Sequence, residues 1–114
     1  RDTQGLNQSN RAHVAAYEDD TVLVHWEDYR SDSDNVGFND LYYNYSNDGG
    51  ITWNASDLRV NGNAPGSAYA VDCWAGHSGN AGFFVWNDGR FGSSDIFFNA
   101  LVLGESATYV APEQ

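Results

Sequence analysis

The chain has 114 residues, enough for one domain with a small core. Its five cations are all Arg against 16 acids, a formal net charge of −11, which excludes a phosphate-binding surface for nucleic acid and disfavours an anionic membrane surface. No stretch approaches the roughly 18 apolar residues of a membrane span, so insertion into a bilayer is not expected.

Four Trp, seven Tyr and six Phe, with twelve Gly and two Pro, suit many short strands joined by tight turns. No window keeps apolar residues at helical spacing between breakers, so the expected class is all-β. In chain order, strand patterns lie near 12–18, 21–28, 40–46 and 52–60, then near 67–75, 81–87, 95–103 and 107–111. Glu18-Asp19-Asp20 and Gly76 to Asn80 read as hairpin turns, and Asn61-Gly62-Asn63-Ala64-Pro65-Gly66 breaks the chain in two. Cys73 is the single cysteine, which rules out an intrachain disulfide, and it reads as a small buried hydrophobe. The start at Arg1-Asp2-Thr3, without Met or a signal peptide, reads as a processed or excised chain. Asn7, Asn44 and Asn54 each open a glycosylation sequon. The acidity has two readings, solubility outside the cell and recruitment of a divalent cation.

The two halves repeat one pattern. Trp26-Glu27-Asp28-Tyr29-Arg30 leads through a polar loop to Asp40-Leu41-Tyr42-Tyr43-Asn44. Trp86-Asn87-Asp88-Gly89-Arg90 leads through another to Asp95-Ile96-Phe97-Phe98-Asn99. The offset is 60 residues at Trp and 55 at Asp, so the first loop is five residues longer. Two ordered coincidences mark an internal repeat. Residues 12–60 form the first copy and 67–111 the second within one domain spanning 1–114, and four antiparallel strands per copy is the blade of a β-propeller.

Between the third and fourth strands of the first copy lies Ser46-Asn47-Asp48-Gly49-Gly50-Ile51-Thr52-Trp53. The glycines can supply positive φ for a tight turn, while Ser46 and Asp48 can bond N–H groups inside it and Trp53 can pack over it. This segment resembles the Asp-box of the bacterial neuraminidase repeat, Ser-x-Asp-x-Gly-x-Thr-Trp, in every defined position. The preceding Trp-x-Asp-x-Arg and Asp-Leu-Tyr-Tyr segments are similar to the blades of sialidase-like propellers, and the resemblance covers about residues 12–103. The second copy departs from it, with no Asp-box after Asn99. The resemblance implies six blades, an Asp-box with a structural role through Ser46, Asp48, Gly50, Thr52 and Trp53, and a ligand face at the opposite end of the blade. The expected ligand-binding residues there are Trp26, Asp28, Tyr29, Arg30, Trp86, Asp88 and Arg90. The plainer alternative is that each Asp–Arg pair pins its own loop, since repetition in both copies points to architecture.

Chemistry for catalysis is scarce. The resemblance implies that a sialidase grips its substrate carboxylate with three arginines and also needs a Tyr–Glu pair and an acid Asp. Only five Arg exist here, and the Arg-Ile-Pro segment of that family is absent, the nearest text being Arg11-Ala12-His13. A carboxylate pair for ordinary glycoside hydrolysis is always available among 16 acids and decides nothing. His13, His25 and His77 lack zinc-ligand spacing. Asp32, Asp34 and Asp40 place oxygen ligands at alternate positions, so calcium is the cofactor to test, with a solvated acidic loop as the default.

The expectation is therefore a non-enzymatic extracellular β-propeller module for glycan binding or extracellular assembly. The alternative is a fragment of a sialidase-like glycoside hydrolase with catalytic groups partly outside this chain. Two blades leave open edges that invite pairing, so the expected partner is either the chain itself, three copies giving six blades, or the remaining blades of a longer chain.

Overall fold

A computed structural model of the chain describes residues 9–16, 19–30, 39–62, 70–89 and 95–107. Among these, the protein is all-β without a helix, built from seven strands in two antiparallel sheets. The first sheet runs β1 (Ser9–Ala16), β2 (Val22–Asp28), β3 (Asp40–Ser46) and β4 (Leu58–Arg59) in sequential order. The second runs β5 (Ala70–Ser78), β6 (Ala81–Asp88) and β7 (Asp95–Val102).

The two sheets repeat each other down to their irregularities. Trp26 pairs with Tyr42 and Asp28 with Asp40, and Trp86 pairs with Phe97 and Asp88 with Asp95. The first strand of each sheet carries a bulge, between Asn10 and His13 in β1 and between Val71 and Trp74 in β5. Each bulge holds a non-glycine residue at positive φ, Arg11 at 52° and Asp72 at 55°. Such a conformation is uncommon outside glycine, and its recurrence at equivalent places makes it a built feature of the repeat.

Because side chains alternate across a strand, each sheet has two faces. Leu23, His25, Leu41 and Tyr43 share one face of the first sheet and are all buried. They meet Phe84 and Trp86 of β6, with Cys73, Leu58, Val60 and Leu101 completing one core between the sheets. The Tyr43 and Phe84 rings lie 5.1 Å apart at a tilt of 44°, and His25 meets Phe84 edge-on. Burial pushes the Cys73 thiol up to about 12, with Glu27 adding to the shift, so this cysteine is a core side chain without thiolate character at neutral pH.

Three expected elements differ. The fourth strand, expected over 52–60, is reduced to Leu58–Arg59. Residues 52–57 are held by side chains instead of a ladder: Thr52 N donates to Asp48, and Asn44 Nδ2 donates to the Asn54 and Ser56 carbonyls. β5 continues through Ser78, so the turn expected over 76–80 narrows to Gly79-Asn80. The second repeat, expected to have four strands, has three among the described residues. Its last strand was expected over 107–111, of which 108–111 lie outside the described residues. After β7 the chain turns at Gly104, φ 107°, toward the first sheet. There Ala107 N donates to Arg59 O at 2.7 Å and Arg59 N donates to Ser106 Oγ at 3.0 Å. Tyr43 fastens this return: its hydroxyl donates to Glu105 O at 2.6 Å and accepts from Gly104 N at 3.2 Å.

Two predictions follow from this packing. Tyr43→Phe keeps the ring and unpairs two backbone groups, so urea unfolding should show a loss of roughly 1–3 kcal/mol; an unchanged midpoint would mean that the return segment is not fastened there. His25 is pressed to a pKa of about 4 by burial and then by His13, whereas an unfolded imidazole takes its proton near 6.5. Its neutral form therefore contributes stability that is full above about pH 6.5 and lost as the pH falls toward about 4. Thermal melts between those values should show a decline that His25→Phe flattens.

Candidate functional site

The repeated Trp-x-Asp segments form matching pairs at the same end of each sheet. Trp26 Nε1 donates to Asp28 Oδ2 at 2.8 Å, and Trp86 Nε1 donates to Asp88 Oδ2 at 3.2 Å. Each indole is stacked on the cross-strand aromatic, Trp26 on Tyr42 at 6.4 Å and Trp86 on Phe97 at 6.0 Å. The spacing explains the bond: Trp and Asp two apart on a strand lie on one face, and the indole reaches along it to the carboxylate.

In the first copy the chain then curls so that Arg30 returns onto the same carboxylate. Its backbone N and Nε donate to Asp28 Oδ1 at 2.8 and 3.0 Å, and its Nη2 to Oδ2 at 2.7 Å. Nη2 also reaches Asp57 Oδ2 at 2.9 Å, and the guanidinium lies 4.0 Å over the Tyr42 ring. Ser9 Oγ adds a bond to Asp28 at 3.2 Å. Burial alone would raise the Asp28 carboxyl, but the Arg30 and Trp26 hydrogen bonds outweigh it and hold it below its ordinary value. The Asp28 pair, followed by Asp57, raises the Arg30 guanidinium in turn.

These positions bear on the expected ligand-binding set. Trp26, Asp28, Trp86 and Asp88 are buried, so their side chains brace the sheets. Arg30 remains 22% exposed and Tyr29 is half-buried. Arg90 lies outside the described residues, as do Asp32 and Asp34 of the expected calcium loop. Its third member, Asp40, is buried and accepts from Asn61 Nδ2 at 2.8 Å, with Arg59 Nη1 at 3.8 Å. Among the described residues every arginine faces a carboxylate: Arg11 meets Glu27 at 3.2 Å, Arg30 meets Asp28 and Asp57, and Arg59 meets Asp40. The sequon at Asn44 falls on a buried amide bonded to the 54–57 segment, a place no glycan can occupy in the folded chain.

The turn from Ser46 to Trp53 closes the other end of the first sheet. The pairs Asp28 with Asp40 and Val22 with Ser46 set the two ends a full strand apart. Ser46 Oγ donates to Asp48 Oδ1 at 2.7 Å and accepts from Gly50 N at 2.9 Å. Asp48 takes Thr52 N at 2.8 Å on Oδ1 and the Thr52 hydroxyl on Oδ2. Bonds from the Thr52 hydroxyl and backbone hold the Asp48 carboxyl down at about 2. Gly49 and Gly50 supply the turn at φ 72° and 93°. Trp53 Nε1 donates to Gly50 O at 3.0 Å, which lays the indole over the turn and leaves it 42% exposed.

No family model matches this chain, and neither a curated protein nor a solved structure matches it.

Sequence reasoning missed the partners that define these sites. Asp57, Asn61 and Ser9 carry no motif, and only the register brings them to Arg30, Leu41 and Asp28. Asp48→Ala should lower the thermal midpoint by several degrees while leaving the Asp28–Arg30 end unchanged by NMR. Since its contribution is full above about pH 3.8 and declines as the pH falls toward 2, the deficit should shrink across that range. A deficit of the same size at pH 2 as at pH 7 would refute the role given to its carboxylate.

Proposed function

We propose that this chain is a non-enzymatic extracellular module whose two sheets are blades of a β-propeller completed by further copies of itself. One observation carries the reading. The second sheet presents an exposed apolar face of Phe83, Val85, Ile96, Phe98 and Val102. Through the repeat the first four of these positions match Leu23, His25, Leu41 and Tyr43 of the first sheet, the face that Phe84 and Trp86 cover. The same face is thus covered in one copy of the repeat and bare in the other. Ile96 at 70% and Phe98 at 65% exposure are far from the full burial of Leu41 and Tyr43.

The opposite outer face is already covered at Trp26 and Tyr42, and its open part lies along β1, where Val14 is 67% exposed. Val14 pairs with Val24 and so shares the face of Trp26 and Tyr42, the repeat equivalent of the face bearing Phe84 and Trp86. Stacking unlike faces is heterologous and closes into a ring when the rotation fits. Three copies supply six blades, within the range of propellers. A contiguous apolar face of this kind marks an interaction surface in a soluble protein. The reading as part of a sialidase-like hydrolase has less support, because the described arginines are already committed to carboxylates.

Sedimentation velocity on the purified chain should show a discrete assembly of three copies, and Phe98→Glu should return it to monomer with its circular dichroism intact. Neither form should cleave a fluorogenic sialoside. A wild-type monomer at high concentration contradicts self-assembly, and turnover lost in Arg30→Lys contradicts the non-enzymatic reading, since Lys keeps the charge but loses the fork.

A further inference from the structure

The turn that closes the first sheet also frames a cleft of about 250 Å³, lined by Tyr45, Ser46, Asn47, Asp48, Thr52, Trp53 and Asn54. We infer that this cleft binds a single neutral pyranose ring of a glycan, stacked on Trp53 and hydrogen-bonded by Asn47 and Asn54. The inference stands apart from the assembly reading, because the cleft lies at the end of the first sheet and the bare apolar face belongs to the second.

The groups in the cleft divide into two sets. Ser46, Asp48 and Thr52 are bonded to one another and to the turn backbone, so they form a closed floor. Asn47 has no hydrogen bond at its Nδ2 and Asn54 none at its Oδ1, since the bonds these side chains make use other atoms. Tyr45 packs on the core side, its hydroxyl beside Gly104. The open set is one amide donor and one amide acceptor. Neighbouring sugar hydroxyls, each able to donate and accept, answer such a set. The exposed Trp53 ring gives the C–H face of a pyranose an apolar wall.

The platform is also rigid. Trp53 is held through Nε1 to Gly50 O, and the next residue is anchored by Asn54 N to Tyr45 O at 3.0 Å. Binding therefore orders little that is not already ordered. Other ligand classes fit less well. A cation would need the Asp48 oxygens, and both already accept hydrogen bonds. An anion would meet the Asp48 carboxylate, with no Arg among the lining residues. An apolar ligand would leave Asn47 and Asn54 buried and unpaired.

The test is a titration of the ¹⁵N-labelled chain with the methyl glycosides of galactose, mannose and N-acetylglucosamine, following the Trp53 indole N–H and the Asn47 and Asn54 side-chain amides. At least one should give saturable shifts in the millimolar range, and the methyl glycoside of N-acetylneuraminic acid should bind more weakly. Trp53→Ala should weaken binding roughly tenfold or more, and Asn47→Ala, which removes an exposed amide, about fivefold with unchanged circular dichroism. Should Trp53→Ala fail to fold, Asn47→Ala decides alone. Absence of shifts with all three sugars, shifts indifferent to Asn47→Ala, or preference for the acidic sugar overturns the inference. Shifts retained in Phe98→Glu confirm that the cleft acts independently of assembly, and their loss would tie it to the interface and overturn its independence.

Discussion

The contact of Phe84 and Trp86 with the Tyr43 face of the first sheet is the interaction on which the rest depends. A sheet buries its apolar face only when another element packs against it. Here the two sheets solve that problem by sharing one core, and burial of an aromatic such as Phe84 contributes roughly 1.5–3 kcal/mol. Everything at the ends of the sheets is positioned by that stack. The indole–carboxylate pairs set how each strand leaves the core, and Tyr43 fastens the 104–107 return against it.

Much of this was legible in the sequence. Trp26 with Tyr42 and Trp86 with Phe97 occupy equivalent places because a period-two strand turns a matching text into a matching face. The turn chemistry of Ser46 to Trp53 was legible too, since it is confined to a few consecutive residues whose side chains close on their own backbone. What stayed hidden depends on distance along the chain. The bulges at Arg11 and Asp72 share no residue type, and both lie at positive φ where a sequence gives no warning. Asp57 reaches Arg30 across 27 residues. The return of Ala107 to the first sheet is set by the turn at Gly104 and by the Arg59 carbonyl that accepts its N–H, neither of which a strand pattern reveals.

The candidate ligand residues show how a repeated motif divides into structure and function. Burial turns Trp26, Asp28, Trp86 and Asp88 into braces, and the network on Asp28 explains why an acid stands at the end of that strand. The residues that remain open are elsewhere: Trp53 beside its unpaired polar neighbours, and the apolar face of the second sheet. A structural turn such as Ser46 to Trp53 can present a ligand because satisfying its own backbone leaves the outer side chains free.

The central claim is that unlike faces of two copies meet as the two sheets of one chain do. Its most direct test is cross-linking between copies carrying Val24→Cys and copies carrying Phe98→Cys, positions equivalent to the Phe84–Tyr43 contact. The native Cys73 is buried and does not interfere. With a short bis-maleimide, the account predicts efficient linkage only when both variants are mixed. Linkage of Phe98→Cys to itself with equal efficiency, or none in the mixture, would contradict it.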